Sequence, residues 1–301
     1  MLTARVSLTI QHGPAPRRGF TVAEVVLAML LGALVLGLVS SVGGRLQRQL
    51  TRDANRLADD QQLATAAEVL PIDLRGLSPS SGDIAAGEAR DSSLQVRATI
   101  ANALACGGAP STLLIAPYLG SSGSSSALSV QDGDTAWLLT DGDTSESWHP
   151  VRVRAVRRTS GSCAVLGDAD AAKVFDISHL WAMDLRDSVI AAAGAVVRVT
   201  RPTRSSFYRA GDGRWYLGLR SWNSAAVLFN TIQPVSGPYA AATGAGGARF
   251  QYYDSVGNRV PSGAADTRSI ARVEAVLLSE RSSRDSSRDS LLVVIALRNR
   301  R

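Results

Sequence analysis

The stretch FTVAEVVLAMLLGALVLGLVSSVGG, residues 20–44, is a long apolar run with a single charged side chain, Glu24. Residues 25–42 carry no charge at all. As an α-helix, a run of this length rises roughly 27 Å, which is just enough to cross the hydrocarbon core of a bilayer. The sequence therefore predicts one membrane-spanning helix near the N-terminus.

The segment before this run, residues 1–19, is polar and basic. It contains Arg5, Arg17 and Arg18 and no acidic residue. Positive charges beside a membrane span favour the cytoplasmic side. We therefore expect a single-pass protein of the cytoplasmic (inner) membrane, with the leader in the cytoplasm and the head in the periplasm or outside the cell.

An ordinary secretory signal peptide is the first alternative for this N-terminus. Such a signal ends in a small-x-small cleavage site, which residues 38–44, LVSSVGG, match poorly. The apolar run also continues without a turn signal into a second helical pattern. This continuity favours a retained transmembrane segment over residues 20–44.

Residues 45–77 form the second pattern, in which apolar side chains recur at helical spacing among charged ones. The apolar positions are Leu46, Leu50, Ala54, Leu57, Leu63, Ala67, Leu70, Leu74 and Leu77. No proline occurs between residue 20 and Pro71, which is expected to kink or end the helix. We expect the apolar side of this amphipathic half to pack on the globular head.

Residues 78–301 lose the helical period and show short alternating runs separated by Gly, Ser and Asp turns. Residues 206–219 predict a hairpin around the turn Ala-Gly-Asp-Gly, and a second hairpin is predicted across residues 281–288. The expected fold class is α+β, with a long N-terminal helix packed on one exported, antiparallel, β-rich head.

The chain contains two cysteines, Cys106 and Cys163. An exported domain meets an oxidising compartment, in which disulfides form and persist. The residues leave two possibilities open, one disulfide or two buried thiols. The export signal favours the disulfide.

Residues 19–24, Gly-Phe-Thr-Val-Ala-Glu, resemble the recognition motif of prepilin peptidase, the enzyme that processes the type IV pilin-like family. The resemblance implies cleavage after Gly19, N-methylation of Phe20 as the new N-terminus, and a role for Glu24 in assembly. It implies prepilin peptidase, the inner membrane and other pilins or pseudopilins as partners. Ala23 departs from the larger aliphatic residue that is common there.

Glu24 places a charged carboxylate at the edge of the apolar run. A carboxylate at the edge of an apolar span costs about 2.5–3.5 kcal/mol if it must enter the bilayer centre, so it usually has a partner. The resemblance supplies the N-terminal amine of Phe20, on the same or a neighbouring subunit. The alternative is a glutamate that reaches the headgroups and interacts with the positive end of the helix.

Three stretches in the second half of the chain carry a second resemblance, to a narrower group within the family. RFQYYDSVGNRV at residues 249–260, IARVEAVLL at 270–278 and YRAGDGRWYL at 208–217 are similar to strands of the W-type minor pilins and the J-type minor pseudopilins. The similarity implies a pilin-like head and a minor subunit, in or at the tip of a type IV pilus or a type II secretion pseudopilus. The choice between pilus and pseudopilus stays open.

One loop region is rich in acidic residues and is a weak calcium candidate. Its members are Asp132, Asp134, Asp141, Asp143 and Glu146. The spacing of an EF-hand is absent, and Asp-Gly is also a common turn sequence, so no metal and no cofactor is predicted. No nucleophile elbow, phosphate loop or HExxH motif occurs, and we expect no enzymatic activity.

The formal net charge of +6 raises the possibility of a nucleic-acid partner. Half of that charge lies in residues 1–19, and no Lys/Arg-rich run is interleaved with aromatic residues, so none is expected. Two other functions remain as alternatives. One is a single-span envelope protein with a ligand-binding or enzymatic periplasmic domain, and the other is a DNA-uptake or adhesive pilin.

Overall fold

The computed structural model of the protein describes residues 21–118, 129–141, 146–163, 175, 179–242, 247–280 and 289–297. It contains one long helix, α1 (Val22–Leu74), followed by strands that pair antiparallel wherever they are described. The strands are β1 (Ile84–Arg90), β2 (Ser93–Ala109), β3 (Thr112–Pro117), β4 (Thr135–Asp141), β5 (Glu146–Thr159), β6 (Leu180–Leu185), β7 (Val196–Arg209), β8 (Trp215–Asn223), β9 (Leu228–Phe229), β10 (Gln233–Tyr239), β11 (Arg249–Tyr253), β12 (Arg259–Val260), β13 (Arg272–Leu278) and β14 (Ser290–Ala296). This composition agrees with the expected α+β class.

The chain divides into two compact units, Met1–Leu57 and Ala58–Arg301. In the first unit, every described residue except Gly44 is exposed. The most apolar 18-residue window of α1 has a mean hydropathy of 2.6, and none of that window is buried. By length and composition, α1 is therefore able to cross a membrane, as the sequence predicts.

The part of α1 that belongs to the second unit is amphipathic and partly buried. Leu63, Ala66, Leu70 and Leu74 enter the larger hydrophobic core of that unit. Their spacing of three and four residues places them on one side of the helix. This part of α1 therefore packs on the head through a single apolar face from Leu63 onward. The first four predicted positions of that face do not take part, because they belong to the first unit and are exposed: Leu46, Leu50, Ala54 and Leu57.

Pro71 does not end the helix at its own position, because α1 continues to Leu74. A proline cannot donate a hydrogen bond to residue i−4, but its carbonyl remains available. The Pro71 carbonyl accepts a bond of 3.0 Å from the backbone N–H of Arg75. The helix then ends within one turn, ahead of a short 3₁₀ turn at Pro79–Ser81.

A four-stranded sheet, in the order β12-β11-β13-β14, contributes to the same core as the helix. Its inward side chains include Phe250, Tyr252, Val273, Ala275 and Ile295. The β13–β14 pairing runs from Arg272 opposite Ala296 to Leu278 opposite Ser290. This pairing confirms the second predicted hairpin.

The larger sheet closes on itself. Six of its strands form a ring in the order β2-β3-β6-β5-β4-β7, and β7 pairs back to β2. The ring encloses a second core of small and branched side chains: Ala101, Ala103, Ala105, Leu113, Ile115, Ala136, Leu138, Val151, Val153, Trp181, Met183, Leu185, Val197 and Val199. A barrel this small has its interior filled by side chains, so it is a packed core and not a channel.

The β7–β8 hairpin connects the barrel to the helix-bearing core. Its register runs from Thr203 opposite Ser221 to Arg209 opposite Trp215. The turn is held by a 2.9 Å bond from the Ala210 N–H to the Arg214 carbonyl, and Gly213 adopts a positive φ of 82°. The hairpin predicted at residues 206–219 is therefore confirmed.

Candidate functional site

The first turn of α1 is closed by a reciprocal pair of side-chain hydrogen bonds. The Thr21 backbone N–H donates to Glu24 Oε2 at 3.0 Å, and the Glu24 N–H donates to Thr21 Oγ1 at 3.3 Å. The Thr21 hydroxyl also donates to the same carboxylate oxygen, at 3.1 Å. This is a capping box, in which a threonine and a glutamate three residues later satisfy the free donors of a helix start.

The capping box fixes the position and the environment of the Glu24 carboxylate. The carboxylate lies beside the N-terminal end of the helix, where the macrodipole is positive. Both bonds from Thr21 end on Oε2, so Oε1 accepts no hydrogen bond from a residue that the structure describes. One carboxylate oxygen is therefore available to a further donor.

The other residues of the predicted processing site, Gly19 and Phe20, lie outside the described residues. Thr21 was not singled out from the sequence as a functional residue, although the Thr-x-x-Glu spacing of a capping box was present in it. The structure thus assigns Glu24 a local partner that the resemblance alone did not suggest.

The surface of α1 beyond this turn is open and apolar. Its exposed large hydrophobic side chains are Val22, Val25, Val26, Leu27, Met29, Leu30, Leu31, Leu34, Val35, Leu36, Leu38, Val39, Val42, Leu46, Leu50, Leu57 and Ile72. They occupy all sides of the helix as far as Val42 and become sparser beyond it. A helix that is apolar on all sides is typical of a membrane span.

The two cysteines form a disulfide, Cys106–Cys163, as expected. Cys106 lies in β2, and Cys163 follows the end of β5. Both pack with Ala116 and Leu180 in a small hydrophobic cluster. The bond therefore links two parts of the barrel that are 57 residues apart in sequence.

The acidic candidates for calcium are bound to arginines where the structure describes them. Asp134, almost fully buried, accepts from Arg201 Nε and Nη2, each at 2.7 Å. Asp132 accepts from Arg186 Nη2 at 2.8 and 3.0 Å. A guanidinium in each position neutralises the charge that a cation would need.

The remaining acidic candidates cannot be placed around these two. Asp143 lies outside the described residues, as do the side chains of Asp141 and Glu146. Among the residues that the structure describes, no three His, Cys, Asp or Glu side chains form a group that could hold a metal ion.

The candidate site is thus the start of α1, where Thr21 and Glu24 are in contact and the exposed apolar surface begins. The disulfide and the two Asp–Arg pairs are structural features of the head. The chain matches no protein-family model, no curated protein and no solved structure.

Proposed function

We propose that the protein is a minor pilin or pseudopilin, a structural subunit that assembles through its N-terminal helix after cleavage between Gly19 and Phe20. The observation that carries the proposal is the exposed first part of α1, which begins at Val22, directly after the Gly-Phe-Thr sequence, and carries no charge other than Glu24 as far as Gly44. The resemblance of residues 19–24 to the prepilin peptidase motif gives this arrangement its functional meaning.

An exposed apolar helix of this length needs a membrane or a protein partner to cover it. Soluble monomeric proteins rarely expose a continuous apolar patch larger than a few hundred Å². A membrane supplies the cover before assembly, and neighbouring helices of the same kind supply it afterwards. Within the bilayer, such helices associate by close packing and by polar contacts between them.

Glu24 is suited to be one of those polar contacts. Cleavage after Gly19 would create a charged amine on Phe20, and Oε1 of Glu24 has no hydrogen bond among the described residues. A neighbouring amine paired with this carboxylate would neutralise both charges in the membrane. Processing and assembly would then be coupled, because the uncleaved chain lacks the amine.

The head supports the assignment to a minor subunit. Residues 249–260, which resemble the W-type and J-type proteins, form β11, β12 and the turn between them. In that turn, Asp254 Oδ1 accepts from the N–H groups of Val256 and Asn258 at 2.9 and 2.8 Å. The aromatic strand β11 and this turn precede the longer strand β13, which is the order that the resemblance implies.

The test measures whether the full-length protein is incorporated into filaments. Cells with a prepilin peptidase and the other filament subunits would express either the native chain or Glu24→Ala, and sheared filaments would be probed for the head. The native chain is expected in filaments, whereas the variant is expected to be cleaved but to stay in the membrane. An uncleaved chain whose location is indifferent to Glu24 would indicate a simple membrane anchor instead.

A further inference from the structure

Two arginines face each other across the β7–β8 hairpin. Arg204 and Arg220 are directly paired in the antiparallel register. Directly opposite residues have Cβ atoms about 4.5–5.5 Å apart and point to the same face of the sheet, here the face away from the core residue Phe207. Like charges in this arrangement repel, and an anion beside the pair would relieve the repulsion.

The protein supplies only part of that compensation. Arg204 Nη2 donates to Glu88 Oε2 at 3.2 Å and to Gln95 Oε1 at 2.6 Å. Glu88 is shared with a third guanidinium, because its Oε1 lies 3.7 Å from Arg90. Arg220 has no hydrogen bond and no ion pair with any residue that the structure describes. Positive charge is therefore in excess at this position.

Both arginines are partly buried, and the side chain of Arg204 is 30% exposed. The Nε atoms of both Arg204 and Arg220 are buried, and neither finds an acceptor among the described residues. Buried donors in native proteins almost always have a partner. An acceptor with several oxygens from outside the chain would satisfy two such donors on adjacent, like-charged side chains.

Aromatic side chains hold one of the two guanidinium groups in place. The Cζ atom of Arg204 lies 4.9 Å from the centroid of the Phe229 ring, a cation–π contact. Phe229 is itself packed edge-on against Trp222, with ring centroids 5.2 Å apart. A guanidinium that is ordered in this way loses less entropy when it binds an anion.

We propose that Arg204 and Arg220 form a binding site for a phosphoryl oxyanion, as free phosphate or as a phosphate ester. The guanidinium fork matches phosphate oxygens in a bidentate manner, and two forks match its charge better than that of a single carboxylate. Gln95 and Phe229 position Arg204, and Arg220 supplies the uncompensated charge. The site lies on the head and is independent of the assembly role of α1.

The test is calorimetric titration of the full chain in detergent micelles, with inorganic phosphate in one arm and glycerol phosphate in the other. Chloride at matched ionic strength controls for general screening. Binding in either arm supports the site, and the stronger arm identifies the free anion or the ester as its ligand. Absence of binding in both arms would overturn the proposal.

The variant that tests the assignment is Arg220→Met, which keeps an apolar stem and removes the charge. It should bind phosphate about tenfold more weakly or worse, which is the loss of one charge-assisted hydrogen bond. Without phosphate, its melting temperature should equal or exceed that of the native protein, because the repulsion has been removed.

Two further variants complete the test. Arg268→Met removes the same charge from an exposed position and should bind phosphate like the native protein. Arg220→Lys keeps the charge without the fork and should bind with intermediate affinity. Native-like phosphate binding by Arg220→Met would contradict the proposal.

Discussion

The carboxylate of Glu24 accepts two hydrogen bonds from Thr21, one from its backbone N–H at 3.0 Å and one from its hydroxyl at 3.1 Å. Glu24 therefore has a role within its own helix, whatever it does between subunits. The capping role requires an acceptor at this position, whereas the assembly role requires a charge. These requirements can be separated, because glutamine also serves in a capping box.

The first prediction separates the capping role of Glu24 from its assembly role. Glu24→Gln should preserve the helix start and be cleaved, yet should be depleted from filaments at least tenfold, because a neutral amide cannot neutralise the Phe20 amine. Thr21→Val is the matched control, which loses the capping hydroxyl at a cost of about 1 kcal/mol and keeps the charge. It should enter filaments normally. Filament incorporation of Glu24→Gln at the native level would show that capping alone explains the residue.

The second prediction concerns the disulfide. Closing a loop of 57 residues lowers the entropy of the unfolded chain, and the loop-closure relation gives about 4 kcal/mol of stabilisation. The double variant Cys106→Ala/Cys163→Ala should therefore lose roughly 2–4 kcal/mol in urea denaturation. A reductant should destabilise the native protein by a similar amount and leave the variant unchanged. Equal stability of the two proteins would contradict this account.

The third prediction concerns the buried pair of Asp134 and Arg201, whose side chains are 4% and 13% exposed. Asp134→Ala leaves a buried guanidinium without its carboxylate, although Arg201 Nη2 still donates to the Ser129 carbonyl, and should cost about 3–5 kcal/mol in the free energy of unfolding. The double variant Asp134→Ala/Arg201→Met should recover much of that loss. Additive losses in the double-mutant cycle would show that the two residues act independently. Calcium should leave the native melting temperature unchanged.

The fourth prediction concerns alkaline pH. Burial raises the pKa of Tyr239 to about 12, although the hydrogen bond to Ser236 opposes the shift. Burial and the charge of Asp91 raise the pKa of Tyr252 well above its usual value. In the unfolded chain both phenols have a pKa of about 10. The folded state therefore favours the protonated phenols, and this stabilisation is complete below pH about 10.

The free energy of unfolding should accordingly fall as the pH rises from about 10 to about 12. Urea denaturation across this range measures the fall, and ultraviolet absorbance follows the ionisation of the phenols. Tyr239→Phe should reduce the slope, because one of the two groups no longer titrates. A slope that is unchanged in this variant would remove Tyr239 from the explanation.

Local features of the fold were predictable because their causes are local. The uncharged run at residues 25–42 predicts a helix, and the turn sequence at residues 210–213 predicts a hairpin. The Thr21–Glu24 capping box also has a local cause, but its spacing was not used as a prediction. The end of the helix was less predictable, because Pro71 is tolerated in the last turn.

Features that depend on distant pairing were not predictable from local patterns. The barrel closes because Ala103 in β2 pairs with both Val197 and Pro117, and alternation within a strand carries no information about such partners. The charge imbalance at Arg204 and Arg220 was likewise not predictable from local patterns. Their opposition follows from the hairpin register, but the excess of charge becomes evident only when Glu88 is located.

The proposed assembly depends on cleavage between Gly19 and Phe20, because cleavage creates the amine that is proposed to pair with Glu24. Mass spectrometry of the intact protein, purified from its native envelope, measures this directly. We predict a chain that lacks residues 1–19 and begins with N-methylated Phe20. A protein that still begins at Met1, with the junction before Phe20 intact, would contradict the central claim.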